Sequence, residues 1–294
     1  MKYYLIIFCI VCCSCVNRNK TEVSLFLRAD SSAYLTEISS ETGDLFSELG
    51  HHGPAIENEW MSLRIYFDKK AAIDVYSKSR PGLELLEARW YPTPEQQQNG
   101  WGADYYKAGT TVGLGGVRLW DGEKVVPLDP VTNRYAAVSK EGSSSYMEMR
   151  SEGIPYKDGI VDVIVRVTVY SGKREAKVEA MVPGGDPVQF VTGINYHNGQ
   201  KVSKGDNYIA TWGLHPEDVA VESVELGAAI IFDPGDFEGN LDDSTQYLII
   251  SKPAKSLETW ITSACGKGKE INTLEDFLSH VSEILIPGVP DEFK

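Results

Sequence analysis

The chain has 294 residues, a hydrophobic content of 42% and a formal net charge of −14 at pH 7. This hydrophobic content is ample for a packed core and excludes a chain that is disordered throughout. The negative charge argues against nucleic acid as a partner, because phosphates are bound by clustered Lys and Arg. An anionic substrate would therefore have to be bound by a local basic pocket.

The first residues have the pattern of an export signal. An apolar run at 5–11 is too short to span a bilayer, and it ends in a cysteine-rich stretch that turns polar. A small residue directly before Cys15 resembles the lipobox of bacterial lipoproteins. We therefore predict a signal peptide at 1–14, lipidation of Cys15 and a tether at 15–21. An ordinary cleaved secretory signal is the alternative.

This signal predicts an exported protein that is held at the membrane by its lipid anchor alone, with the periplasmic side favoured over the cell surface. Four of the five cysteines lie within the first 15 residues, so Cys265 is the only other one. No disulfide framework is expected, and Cys265 is predicted to be a structural thiol.

The remaining chain, residues 22–294, is predicted to form one mainly β domain, a large β-sandwich with a C-terminal helix. Apolar residues alternate with polar ones at 161–169, a Gly turn follows, and the alternation resumes at 175–180, which predicts a hairpin with one buried face. Weaker strand patterns occur at 22–28, 61–67, 72–76, 145–150, 189–196, 208–212, 219–232 and 246–251.

A single helix is predicted, near the C-terminus. Apolar residues recur at helical spacing over 274–285, and Asn272 or Thr273 can cap the first turn. Pro287 and Gly288 are expected to end it.

The first candidate for chemistry is a histidine pair, His51 and His52, in a Gly-His-His-Gly-Pro segment. Adjacent residues on a strand point to opposite sides, so at most one of them faces a given pocket. That histidine would act as a general acid or base, because its ordinary pKa lies near neutral pH. The alternative is an exposed turn. No HExxH spacing is present, so no catalytic zinc and no other metal or cofactor is predicted.

The second candidate combines glycines with aromatic and polar side chains at Trp101, Asp104, Tyr105, Arg118 and Trp120. The glycines do not form a phosphate-binding loop, because no βαβ pattern precedes them and no GK[ST] is present. Aromatic faces beside Asp and Arg suit a sugar, which has apolar C–H faces and a rim of hydroxyls. The alternative is that these aromatics are core corners of the sandwich.

A third candidate is the pair Asn195 and His197, which share one face of a predicted strand. An amide beside an imidazole is a combination that an acid–base enzyme acting on sugars could use. A histidine with a structural hydrogen bond is the alternative.

Four motifs, taken together and in this order, resemble one bacterial family: HHGPAIENE, GWGADY, GLGGVRLWDG and GINYH. It is the lipoprotein and secreted family known as domain of unknown function 4861, and the resemblance runs from about residue 25 to the C-terminal helix. It implies a role in polysaccharide utilisation, near pectin- and uronate-degrading enzymes. The fold it implies is similar to the large β-sandwiches of galactose mutarotases and certain polysaccharide lyases. It implies no residue roles.

The leading hypothesis is a carbohydrate-active enzyme that acts on uronic-acid-containing oligosaccharides by lyase or dehydratase chemistry. His52 or His197 would be the base and Tyr105 the acid. The predicted substrate-binding residues are His51, Trp101, Asp104, Arg118, Trp120 and Asn195. The alternatives are a non-catalytic sugar-binding module, a mutarotase, and a glycoside hydrolase that pairs Asp104 with Glu57 or Glu59.

Overall fold

The computed structural model describes residues 21–216 and 220–284, and β-strands dominate this part of the chain. The strands are β1 (Thr21–Ser24), β2 (Phe26–Leu27), β3 (Asp30–Tyr34), β4 (Glu37–Ser40), β5 (Ala55–Asn58), β6 (Met61–Ile65), β7 (Ile73–Ser77), β8 (Arg118–Trp120), β9 (Val125–Val126), β10 (Asn133–Glu141), β11 (Ser144–Tyr156), β12 (Gly159–Tyr170), β13 (Glu175–Met181), β14 (Gln189–Asn195), β15 (Lys201–Lys204), β16 (Tyr208–Gly213), β17 (Leu226–Ile231), β18 (Phe237–Asp242), β19 (Gln246–Ser251) and β20 (Ser256–Cys265). The helices are α1 (Leu85–Ala88), α2 (Pro94–Gln98) and α3 (Leu274–Glu283), with short 3₁₀ turns at Gly50–His52 and Pro234–Asp236.

The strands form antiparallel sheets of different sizes. The largest has nine strands in the order β15-β16-β17-β20-β13-β12-β11-β10-β4. A five-stranded sheet has the order β18-β19-β14-β8-β9, a four-stranded sheet has the order β1-β5-β6-β7, and β2 pairs with β3. The main hydrophobic core includes residues of the three larger sheets, among them Val167, Phe190 and Leu63.

The predicted hairpin is confirmed as β12–β13. Val165 lies opposite Ala180 and Val167 lies opposite Val178, and all four side chains are buried. Residues between them in sequence are only partly buried, so the alternation of the sequence reproduces the two faces of the sheet. The predicted mainly β fold with a C-terminal helix is likewise confirmed.

The C-terminal helix begins at its predicted cap. The Thr273 hydroxyl accepts a hydrogen bond from the Asp276 N–H, and Phe277 and Val281 are buried. A Cβ at Gly227 on β17 would lie 2.7 Å from the Phe277 ring, so glycine allows the helix to pack on this strand. The predicted stop at 287–288 lies outside the described residues.

Two short helices correct the prediction of a single helix. In α2, the Thr93 side chain and the Gln96 side chain each bond the other's backbone N–H, with Pro94 in the first turn. This capping box is visible in the sequence. It was missed because no apolar periodicity follows it. Helix α1 has four residues and no side-chain cap.

Within residues 21–216 and 220–284, no helix is long and apolar enough to cross a membrane. The predicted signal peptide and the lipidation site Cys15 lie outside these residues. Strand β1 already begins at Thr21, the last residue of the predicted tether.

Candidate functional site

A buried guanidinium, that of Arg64, lies at the centre of the candidate site. Arg64 on β6 is paired in register with Asp74 on β7, so both side chains leave the same face of the sheet. Its Nε and Nη2 lie 2.8 and 2.5 Å from Asp74 Oδ2, and Nη2 is also 3.1 Å from Asp104 Oδ2. Burial alone would lower the pKa of Arg64, but these two carboxylates raise it above its ordinary value. Arg64 is therefore a fixed cation.

Two tyrosine hydroxyls are bound by the same guanidinium, but in different ways. Arg64 donates to the hydroxyl oxygens of Tyr66 and Tyr91, both at 3.0 Å. The Tyr66 hydroxyl in turn donates a hydrogen bond to Asp74 Oδ2 at 2.7 Å. Among the described residues, Tyr91 has no acceptor for its proton. Burial raises the pKa of Tyr91, so this hydroxyl stays protonated at neutral pH.

The backbone next to Arg64 is strained at two places. His51 and His52 have φ of 58° and 61°, and Arg89 and Trp90 have φ of 48° and 74°. Non-glycine residues rarely adopt this region, and such strain concentrates at functional sites. Both pairs contact the guanidinium: the His51 carbonyl lies 3.3 Å from Nη1, and the Trp90 ring centroid lies 4.3 Å from Cζ.

A cavity of about 290 Å³ opens beside this centre. We call it the Arg64 pocket; its lining residues are Phe46, His52, Arg64, Tyr66, Lys70, Tyr91, Asp104, Tyr106, Lys107, Ala108 and Gly109. The Lys70 ammonium lies 4.6 and 4.8 Å from the ring centroids of Tyr66 and Phe46, and 3.3 Å from Asp68. Lys107 is a second lysine among the lining residues. Cations beside aromatic faces suit an anionic sugar.

His52 is the predicted catalytic residue that does line the pocket. Its ring stacks on Phe46 at 3.9 Å, and its Nδ1 lies 2.8 Å from the Phe46 carbonyl, which places the proton on Nδ1. Its Nε2 therefore carries the lone pair, and Arg28 Nη2 lies 3.1 Å from both ring nitrogens. Burial, together with Arg64 and Arg28, lowers the pKa of His52, so the ring is neutral and can accept a proton.

His51 lies in the core and does not line the Arg64 pocket. Its Nε2 is 2.8 Å from the Ser24 hydroxyl, and its ring meets Phe26 edge-on. Burial, and next to it the charge of Arg64, lowers the pKa of His51 to about 3. The structure thus places His51 behind the pocket as a neutral ring, and not at the predicted substrate contact.

Asn195 and His197 act together, but on the backbone of the pocket wall. Asn195 Nδ2 donates to the Lys107 carbonyl at 2.8 Å, and His197 Nε2 lies 3.0 Å from the same oxygen. The Lys107 N–H donates to His215 Nδ1 at 3.0 Å, and the Tyr106 hydroxyl donates to Asn195 Oδ1. The predicted pair therefore positions the segment that carries Lys107.

Tyr105, predicted as the acid, lines a neighbouring cavity of about 20 Å³. Asp104 lines this cavity as well as the Arg64 pocket, and His215 completes its inner wall. Burial raises the pKa of Tyr105. The segment reaches this place because Gly102 approaches β7 closely: a Cβ there would lie 2.1 Å from the Ser77 carbonyl.

Three further predicted residues are not brought to the Arg64 pocket. Arg118 is 6% exposed and donates to the Val117 carbonyl at 2.8 Å. Trp120 packs against a separate apolar cluster that contains Val191. Trp101 packs on the cluster that contains Trp90. The two tryptophans therefore fit the alternative interpretation, in which they are packed aromatic residues at corners of the sandwich.

The residues that sequence analysis missed are Tyr66, Lys70, Asp74, Tyr91 and Lys107, together with the central role of Arg64. One signal was present. Arg64 and Asp74 are charged residues inside two runs predicted as strands, and both are at most 2% exposed. Charged residues are almost never fully buried unless they are paired. Two charged residues of opposite sign within neighbouring predicted strands therefore predict an ion pair. Tyr91 has no comparable signal, because an irregular loop places it.

The fold and the site define a mainly β protein with a charged, aromatic-lined pocket at one face of its four-stranded sheet. The family model described as Domain of unknown function (DUF4861) matches residues 18–285. The chain belongs to this family, as its four motifs predicted. No curated protein matches the sequence.

Several solved structures are similar to the chain at a low level. A 4-α-glucanotransferase from Thermococcus litoralis has 10% identity and a TM-score of 0.36; the match covers 72% of this chain and 37% of that one. A proposed aldose 1-epimerase from Klebsiella pneumoniae has 9% identity and a TM-score of 0.37; the match covers 83% of this chain and 91% of that one. A GH36 α-galactosidase from Geobacillus stearothermophilus has 9% identity and a TM-score of 0.28; the match covers 78% of this chain and 40% of that one. Similarity at this level assigns no activity to the chain.

Proposed function

We propose that this protein is a lipid-anchored, exported enzyme that acts on uronic-acid-containing oligosaccharides by lyase or dehydratase chemistry in the Arg64 pocket. One observation carries the proposal: Arg64 holds the Tyr91 hydroxyl with its proton free, in the same pocket as a neutral His52. A proton donor, a proton acceptor and two lysine residues thus line one cavity.

The proposed reaction has three chemical requirements. A base removes the proton from the carbon next to the sugar carboxylate, and those electrons form a carbon–carbon double bond. The bond from the adjacent carbon to its oxygen breaks, and this oxygen leaves with the electron pair and takes a proton from an acid. A cation must stabilise the carboxylate while negative charge builds on it.

The pocket has side chains for each of the three requirements. His52 Nε2 accepts the proton once the Arg28 side chain turns away. The Tyr91 hydroxyl protonates the leaving oxygen, and Arg64, which donates to the same tyrosine oxygen, stabilises the tyrosinate that forms. Lys70 and Lys107 bind the carboxylate. His52 keeps its predicted role, while Tyr91 replaces Tyr105 as the acid.

A sugar-binding module without catalysis is the second candidate. The observation in its favour is the contact of Arg28 Nη2 with His52 Nε2 at 3.1 Å, which occupies the lone pair of the base. The glycoside hydrolase alternative has less support. Glu57 is fully buried and accepts hydrogen bonds from Lys78 and from the N–H groups of Glu84 and Leu85, so its carboxylate does not face the Arg64 pocket.

The experiment incubates the full chain with a panel of uronate-containing oligosaccharides and follows both ultraviolet absorbance and product mass. A conjugated unsaturated uronate raises the absorbance, and the mass separates chain cleavage from loss of water. His52→Gln is expected to abolish the signal, and His280→Gln on α3 is the matched control. Binding by calorimetry with no change in absorbance or mass would replace the enzyme by the sugar-binding module. Falling absorbance on already unsaturated substrates would indicate a hydrolase.

A further inference from the structure

A second cavity, of about 220 Å³, lies between β7 and β20. We call it the Ser77 cavity. Ser77 follows Asp74 by three positions on β7, so the two side chains point to opposite faces of the strand. None of the residues that line this cavity lines the Arg64 pocket. The two cavities are therefore separate potential sites.

The Ser77 hydroxyl is a buried polar group that lacks a partner. The residue is 3% exposed, and its backbone N–H and C=O are both bonded to Ala103, at 3.0 and 3.1 Å. Its Oγ has no hydrogen-bond partner in the part of the chain that the structure describes. Burying an unpaired hydroxyl is unfavourable, so a polar ligand in the cavity would remove this penalty.

The outer wall of the cavity is formed by an aromatic ring and cations. The Arg174 guanidinium lies 3.7 Å from the ring centroid of Trp60, and its Nη2 lies 2.5 Å from Glu270. Lys269 lines the same wall, and its ammonium has no ion pair within residues 21–216 and 220–284. The wall thus carries more positive than negative charge in an otherwise strongly acidic protein.

The inner end is formed by small polar side chains. Cys265 is 4% exposed, its Sγ lies 3.9 Å from the Ser79 hydroxyl, and both residues line the cavity. Lys78 also lines it, but its ammonium is already bonded to Glu57 and to the carbonyls of Asn58 and Gly82. The groups left for a ligand are therefore the Ser77 hydroxyl inside and the cations at the mouth.

We propose that the Ser77 cavity is a second binding site, which takes a single sugar ring bearing a carboxylate. Its volume is below the roughly 300–1,000 Å³ of pockets for larger ligands, which limits the occupant to a small molecule. The ring hydroxyls bond Ser77, and the carboxylate meets Lys269 and Arg174 beside the Trp60 ring. This site goes beyond the proposed function, because it uses no residue of the Arg64 pocket.

The test titrates the full chain in detergent with galacturonate and glucuronate, and with galactose as the uncharged probe, by calorimetry. Ser77→Ala and Lys269→Ala are compared with the wild type. Lys267→Ala is the matched control, because it lies in the same loop but is not among the lining residues of the cavity. Alkylation of Cys265, read on its own peptide by mass spectrometry, reports whether the cavity is occupied.

We expect a uronate to bind more tightly than galactose, and to bind Lys269→Ala about tenfold more weakly because a charge-assisted hydrogen bond is lost. Ser77→Ala should also bind more weakly, Lys267→Ala should match the wild type, and the uronate should slow alkylation of Cys265. The proposal is overturned if uronate does not bind, or if galactose binds equally well. It is also overturned if Lys70→Ala abolishes binding while Lys269→Ala leaves it unchanged, because the Arg64 pocket alone would then bind the uronate.

Discussion

The Tyr91 hydroxyl accepts a hydrogen bond from Arg64 Nη1 at 3.0 Å, and this contact leaves the tyrosine proton free for another acceptor. Tyr66 accepts a hydrogen bond from the same guanidinium but donates its own hydroxyl proton in a hydrogen bond to Asp74. Two tyrosines on one cation are therefore chemically different. The difference provides a matched pair of variants.

Tyr91→Phe is expected to lower kcat on a confirmed substrate by about 10²-fold or more, the usual contribution of a general acid. Tyr66→Phe should lower it much less, because the Tyr66 proton is already bonded to Asp74. Steady-state kinetics on both variants test this. Equal turnover by Tyr91→Phe and the wild type would exclude Tyr91 as the acid.

Arg64→Met is expected to destabilise the fold by about 3–5 kcal/mol, because it leaves the carboxylates of Asp74 and Asp104 buried without their cation. The comparison is Arg166→Met, which removes an ion pair with Glu148 from a side chain that is 38% exposed. This second change should cost less than about 1 kcal/mol. Urea unfolding measures both, and similar values for the two variants would contradict a central role of Arg64.

Asn195→Ala is expected to raise KM more than it lowers kcat, because Asn195 holds the backbone of Lys107 and Lys107 is proposed to bind the carboxylate. A double-mutant cycle with Lys107→Ala tests this mechanism. If Asn195 acts through Lys107, the two effects are not additive. Strictly additive effects on KM would mean that Asn195 acts independently of Lys107.

The free energy of unfolding should fall as the pH drops from about 6.5 towards 5. Burial lowers the pKa of two histidines from 6.5 to about 3. For His51 the charge of Arg64 adds to this effect, and for His215 the charge of His197 does. The unfolded chain therefore binds these protons first, and stability decreases with falling pH by up to about 1.4 kcal/mol per pH unit for each histidine. Urea unfolding at several pH values measures the slope.

His215→Gln should make this slope shallower, because glutamine does not titrate and still offers an acceptor to the Lys107 N–H. The window above pH 5 lies above the ordinary pKa values of Asp and Glu, so ordinary carboxylates add little to the slope there. An unchanged slope in His215→Gln would show that this ring does not remain neutral in the fold.

The alternation along β12 and β13, the Thr273 cap of α3 and the four family motifs could all be read from the sequence, and each is confirmed. These features depend on neighbours within a few residues. The signal peptide, the lipid anchor and the catalytic roles remain predictions. Helix α2 could also have been found, because its capping box is local.

Only the tertiary structure decided which side chains meet. Strand pairing sets Arg64 opposite Asp74, and the path of the loop through Gly102 brings Asp104 to the same guanidinium. Two irregular segments of the chain bring His52 and Tyr91 to the Arg64 pocket. In β12 and β13 the sequence determined which residues are buried, because burial there follows the local alternation. The composition of the site depends on register and loop path, which arise only when distant strands pack.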